Sequence, residues 1–329
     1  MAYASASRWL NFPRTRCWVA PSAFGPYLAH QLFAYRKCKT RRFLRSVWSP
    51  NWRRPDEHVS ALIEVARDMG LQVSWVCHPT PSTRNQVFDV RNGWICKISK
   101  PGYDRIRHEL AIRQSLQSAP VPAIVRIAPN HDAFVEQWSR GHVVPLEAGA
   151  LDAALTLLEL NLYHTPRLMS FDEFLALLRR QGTVDEGCKR AIEVIGHLIG
   201  KRRLPVCLVH GDLASGNVIR LGPNKIEFID WEYVRECVLS YDAWLACYCC
   251  RLRSGSSHNK AWPVIFHRDF RRTLERPFFV EYLSGFDPNV LHLIHLLERL
   301  TFLNRLDQDT TLLTRKSLHD DIRHQIQSF

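Results

Sequence analysis

The stretch Leu208-Val209-His210-Gly211-Asp212-Leu213-Ala214-Ser215-Gly216-Asn217-Val218-Ile219, followed by Lys225-Ile226-Glu227-Phe228-Ile229-Asp230-Trp231-Glu232-Tyr233, is a polar loop bracketed by apolar runs. Val206 to Val209, Val218 to Arg220 and Lys225 to Ile229 are short and rich in β-branched residues, which predicts strands. A loop held between buried strands has fixed side chains. Two Asp and one Asn converging there suit a hard cation such as Mg²⁺ with bound phosphate, because such ions take oxygen ligands. In that arrangement Asp212 orients an attacking hydroxyl and accepts its proton, while Asn217 and Asp230 hold the metal.

Upstream, Val59, Leu62, Ile63, Val65 and Ala66 recur at helical spacing between His58 and Met69, and Gly70 follows where a helix ends. Leu71 to Cys77, Gln86 to Val90 and Trp94 to Ser99 predict strands, with Arg91-Asn92-Gly93 as the turn of a hairpin. Pro101-Gly102 breaks the chain before a predicted helix over Asp104 to Leu116. Ala123 to Ala128 and Ala133 to Trp138 are the last apolar segments before helical patterns take over. The expected class is therefore α+β, with a small β-rich lobe over 56–138 and a larger, mainly helical lobe over 139–329.

The chain has 329 residues, 46% of them hydrophobic, and a net charge of +12. That apolar content excludes wholesale disorder, and no compositional bias points to a fibrous or low-complexity class. Clustered Lys and Arg suggest nucleic-acid binding, but the charge is unevenly placed. Residues 1–54 hold eleven of the 44 basic residues and no acid, so the remainder is nearly neutral. The segment 1–55 reads as a basic, Trp- and Arg-rich leader: a disordered tail, a targeting segment, or an arm that docks on an anionic membrane. No apolar run is long enough to span a bilayer, and ten Cys without a secretory signal suggest free thiols in a cytoplasmic setting.

With these residues in place, the chain resembles the aminoglycoside phosphotransferase and choline kinase family, small-molecule kinases with a two-lobed, protein-kinase-like fold. The resemblance rests on His210-x-Asp212-x4-Asn217 with Asp230 thirteen residues further on. It spans roughly residues 58 to 310, and its strong motifs lie within 206 to 244. It implies ATP and Mg²⁺ as cofactors and a small-molecule hydroxyl as acceptor. It implies that Lys97, in Ile95-Cys96-Lys97-Ile98, reaches the ATP phosphates and that Glu109 pairs with Lys97. Glu136 and Trp138 fall in the segment whose backbone meets adenine, Asn85 ends the phosphate-covering loop, and His210 orients the catalytic loop. Asp242, in Tyr241-Asp242-Ala243-Trp244, supports that loop by hydrogen bonding.

The loop Pro79-Thr80-Pro81-Ser82-Thr83-Arg84-Asn85 has no glycine, which keeps a second class in view: a binding protein with the kinase fold and no turnover. Glu232, Trp231 and Tyr233 are candidates for holding a cationic substrate, with capping and core packing as their simpler roles. Cys247-x-Cys249-Cys250, His292 and His295 lie on apolar helices and read as core rather than metal ligands. Residues 240–329 hold twelve basic against ten acidic residues, which argues against a polycationic acceptor. Amino alcohols, sugars and glycan or lipid head groups remain as acceptor classes.

Overall fold

In a computed structural model of the chain, the described residues are 9–12, 17–23, 27, 51–77, 84–116, 120–139, 141–143, 148–163, 165–213, 217–222, 225–253, 262–305, 312–327 and 329. They form two units: Met1–Val144 with Val218–Glu232, and Pro145–Asn217 with Tyr233–Phe329. A single cut after Trp138 therefore does not describe the division, because the chain returns to the first unit after Asn217.

Along the first unit run β1 (Trp9–Phe12), β2 (Cys17–Val19), β3 (Asn51–Arg53), β4 (Trp75–Cys77), β5 (Arg84–Asp89), β6 (Trp94–Ser99), β7 (Ile124–Ile127) and β8 (Ala133–Gln137). They make one sheet in the order β3-β1-β2-β4-β5-β6-β8-β7, and every neighbouring pair is antiparallel. The described parts of the basic segment 1–55 thus belong to the sheet. Trp18 pairs with Val76 across β2 and β4, and Trp9, Leu10 and Trp18 are buried. Net charge averages over the whole segment, whereas Trp9-Leu10 and Cys17-Trp18-Val19 are local apolar runs, and it is local runs that pair as strands.

The helix Glu57–Asp68 starts where the Asp56 side chain accepts the Val59 N–H at 2.8 Å. It buries Val59, Leu62, Ile63 and Ala66 in a cluster with Trp75, Val87, Cys96 and Val135. The β5–β6 hairpin is closed by Asp89, which accepts the Asn92 N–H at 3.0 Å, and by Gly93 at φ 71°. Because strand residues alternate, the face opposite this core presents Arg84, Lys97, Phe134 and Glu136. On that face the helix Arg105–Ser115 packs Ile106 and Leu110 with Phe134.

β9 (His142–Val143) ends the first pass through this unit. In the second unit the helix Phe171–Gln181 follows β10 (Arg167–Met169) and opens on a capping box between Ser170 and Glu173. β11 (Leu204–Val209) then leads to the polar loop, and β12 (Val218–Gly222) with β13 (Lys225–Phe228) forms a hairpin beside β9 in the order β13-β12-β9. β14 (Arg235–Val238), which sequence reading did not anticipate, pairs with β11 to complete a sheet β10-β11-β14. Helices make up most of the second unit, and Pro288–Arg305 is buried on more than one face. Among the described residues no helix is long and apolar enough to cross a membrane.

Candidate active site

In the first unit Lys97 of β6 is 2% exposed and its Nζ lies 2.9 Å from both Glu109 Oε1 and Glu136 Oε1. Glu109 sits mid-helix, where its other oxygen accepts from Arg84 Nη1 at 3.0 Å and Arg113, one turn on, lies 3.5 Å away. Arg113 also pairs with Glu136 and donates to the Pro122 carbonyl. Arg84 reaches further, pairing with Asp230 and lying 3.7 Å from Glu232, and Lys97 is 3.7 Å from Asp230. Three cations and four carboxylates therefore alternate inside one protein unit.

Such a cluster persists only if each charge is compensated. Burial alone would lift the Glu109 carboxyl, but Lys97, Arg84 and Arg113 outweigh it and hold it below its usual range. Burial works against the Lys97 ammonium too, and Glu109 and Glu136 reverse that, so its pKa is raised. Lys97 and Arg113 also stand over the Phe134 ring at 5.4 and 5.3 Å.

Several residues singled out in the sequence take other places. Glu136 contributes its side chain to this cluster, and its backbone lies within β8 between β6 and β7. Trp138 donates its backbone N–H to the Gly93 carbonyl at 2.7 Å, and its ring packs edge-on against Trp75 and Phe88. Asn85 pairs with Ile98 across β5 and β6, so alternation puts it on the core face, away from Arg84 and Lys97. There its amide is buried without a hydrogen-bond partner among the described residues. Pro79 to Thr83 lie outside the described residues.

After β13 the backbone turns through Asp230 at φ 65°, a conformation uncommon for a residue with a side chain. Trp231 is buried against Phe228 and donates Nε1–H to its carbonyl at 2.8 Å, and Glu232 is buried facing Arg84. Neither of these two side chains lines an open cage.

In the second unit the loop after β11 is clamped from beneath. Buried Asp242 accepts the His210 N–H at 2.7 Å, the Gly211 N–H at 2.9 Å and the Tyr163 hydroxyl at 3.2 Å. Burial raises the Asp242 pKa despite His210 and these bonds. Gly211 turns at φ 78°, and a Cβ there would sit 2.1 Å from the Tyr233 carbonyl. Asn217 donates to the Asp212 carbonyl at 2.8 Å and to its carboxylate at 3.0 Å. The Asp212 side chain is 26% exposed, with Arg299 Nη2 3.7 Å from Oδ1. Tyr233 packs its ring on Phe302.

Sequence reading missed how this clamp is itself held. Ser240 bonds His295 Nε2 at 2.8 Å, His295 Nδ1 meets Glu298 at 2.7 Å, and Glu298 accepts the Val238 N–H at 2.8 Å. The Ser-His-Glu order matches a nucleophilic triad, but all three are buried, so it ties the helix Pro288–Arg305 to the turn before Asp242. His292 similarly accepts from Trp244 Nε1 at 2.8 Å. Only a polar residue's tertiary neighbours distinguish these histidines from apolar core.

Among the described residues no group of three or more His, Cys, Asp or Glu is arranged to hold a metal ion. Asn217, in the second unit, directs its amide at Asp212, and Asp230, in the first, faces Arg84 and Lys97. A divalent ion at Asp230 would enter against both cations. With Arg84 in this position the donors do not fit Mg²⁺.

The first unit thus holds a buried Lys–Glu pair on an antiparallel sheet, and the second an Asp–Asn loop clamped by a second Asp. The phosphotransferase enzyme family (APH) matches residues 79–276, more than half of the sequence, and the chain belongs to that family. No curated protein matches it. Among solved structures it is similar to choline kinase LicA from Streptococcus pneumoniae, with 12% identity, 83% of this chain and 100% of that chain covered, and a TM-score of 0.54. It is likewise similar to a thermostable mutant of aminoglycoside phosphotransferase APH(4)-Ia in ternary complex with ADP and hygromycin B, at 14% identity, 82% and 98% coverage and a TM-score of 0.54. At these identities the likeness is one of fold: a protein-kinase-like α+β architecture with an antiparallel sheet towards the N-terminus and a helical C-terminal part.

Proposed function

We propose that this chain transfers the γ-phosphoryl group of ATP to a hydroxyl of a small molecule. The observation that carries this reading is Asp212, a partly open carboxylate in a loop whose backbone is held by buried Asp242 and whose orientation is set by Asn217. A carboxylate so held accepts a hydrogen bond from the incoming hydroxyl and takes its proton as the new O–P bond forms and the bond from the γ-phosphorus to the leaving ADP oxygen breaks. His210 orients the loop through its backbone. Lys97, kept charged and in place by Glu109, supplies positive charge for the phosphates. The fold relative that carries ADP supports a nucleotide donor.

The acceptor classes left open by the sequence are narrowed by Arg299, whose guanidinium stands 3.7 Å from Asp212. A cation beside the base disfavours a quaternary or polyamine group next to the reacting hydroxyl. It favours a sugar, glycan or anionic head group.

The test is ADP release by the full chain against amino alcohols, sugars, glycans and aminoglycosides, each with Mg²⁺ and with chelator. Acceptor-dependent release should fall roughly 10²- to 10⁴-fold in Asp212→Asn at unchanged melting temperature. Equal turnover in that variant refutes the role of Asp212. No turnover with any acceptor, and no nucleotide-induced thermal shift, would support the kinase-fold binding protein without catalysis.

A further inference from the structure

Arg84 is the feature that the family reading leaves unexplained. It is the first residue of β5, its side chain is 3% exposed, and it faces three carboxylates at once: Glu109 at 3.0 Å, Glu232 at 3.7 Å and Asp230 in direct contact. We propose that Arg84 is a resident counter-cation for Asp230 that excludes divalent metal from that carboxylate in the nucleotide-free protein. The proposal takes from the sequence reading only the assignment of Asp230 as the natural place for a cation, and nothing from the proposed reaction.

Charge balance supports it. Arg84, Lys97 and Arg113 face Glu109, Glu136, Asp230 and Glu232, so the cluster carries one net negative charge with the guanidinium and two without it. A guanidinium stays protonated at any pH a protein survives, so the occupant cannot leave by losing its charge. It is also planar and forked, so that Nη1 meets Glu109 while Nη2 meets Asp230. The turn at Asp230, with φ 65°, presents the carboxylate to this fork. Removing Arg84 takes the guanidinium from both Asp230 and Glu232, which lie two residues apart in the chain. That combination of two like charges and oxygen donors is what a divalent ion seeks.

The test uses Mn²⁺ alone, titrated into the full chain without nucleotide and followed by the paramagnetic resonance of the free ion. Wild type should bind weakly. Arg84→Gln should bind about tenfold or more tightly, since a close positive charge has gone. Adding Asp230→Asn to Arg84→Gln should abolish the gain. If Arg84→Gln loses its near-ultraviolet circular dichroism, Arg84→Gln combined with Glu109→Gln removes one charge of each sign, keeps both Asp230 and Glu232, and carries the same expectation. Tight binding by wild type that Asp230→Asn removes, equal affinity in wild type and the Arg84 variants, or a gain that survives Asp230→Asn would each overturn the proposal. No nucleotide or turnover enters the measurement, so its failure leaves the phosphotransferase reading standing, and failure of the kinase assay leaves this result intact.

Discussion

Replacing Glu109 by Gln keeps the size and most hydrogen-bonding capacity of the side chain and removes only its charge. In the structure that charge serves Lys97 at 2.9 Å, Arg84 at 3.0 Å and Arg113 at 3.5 Å, and the carboxylate is fully buried. Breaking a buried pair from one side costs about 3–5 kcal/mol, because the partners stay buried without compensation. The same change at Glu193, which pairs with Arg190 at 3.1 Å in full solvent contact, should cost about 0–1 kcal/mol. Urea denaturation followed by tryptophan fluorescence compares the two. A loss below about 1 kcal/mol for Glu109→Gln would refute the claim that burial, rather than pairing distance, makes this cluster matter. Acid adds a second signature. Glu109 has a lowered pKa when folded, so its contribution is complete above the ordinary carboxylate value near about 4.3 and is lost as pH falls through the lower folded value. The wild type should therefore lose stability over that acid range more steeply than Glu109→Gln.

Three further changes probe other parts of the structure. Gly211→Ala sets a Cβ 2.1 Å from the Tyr233 carbonyl at a positive φ, so the melting temperature and any phosphotransfer should fall together, with a stability loss of about 1–3 kcal/mol or more. Asp242→Ala leaves the His210 and Gly211 N–H groups buried without their acceptor and should cost about 1–3 kcal/mol for each lost bond, whereas Asp242→Asn retains an acceptor oxygen and should cost less; equal losses would count against the clamp. Trp18→Ala should destabilise the first unit by about 3–5 kcal/mol if β2 is a working strand of its sheet; an unchanged denaturation midpoint would mean that the basic segment is dispensable to the fold.

The parts of the fold that were legible in advance share one property: their signal is local. The helix Glu57–Asp68, the β5–β6 hairpin with its Asn92-Gly93 turn, and the strands around the polar loop after β11 each announce themselves through a period or a turn within a dozen residues. The Asp212, Asn217 and Asp230 spacing is likewise a property of one short stretch of chain, and it led to the family that residues 79–276 match. The strands β1 to β3 went unread because a strong charge bias conceals runs as short as Trp9-Leu10 and Cys17-Trp18-Val19, and because Asn51-Trp52-Arg53 has no apolar run and becomes a strand only by pairing with β1.

The sequence by itself determined the α+β class and the family, and singled out candidates for the chemistry, because periodicity and motif spacing are written in consecutive residues. Only the tertiary structure decided which charges meet. Arg84 lies 25 residues from Glu109 and far further along the chain from Asp230, and nothing in their spacing predicts that one guanidinium spans both. Ser240 and His295, 55 residues apart, likewise become partners only when a helix packs over the turn before Asp242. Burial makes such pairings obligatory, since a charge or polar group removed from water must find its complement wherever the fold brings one.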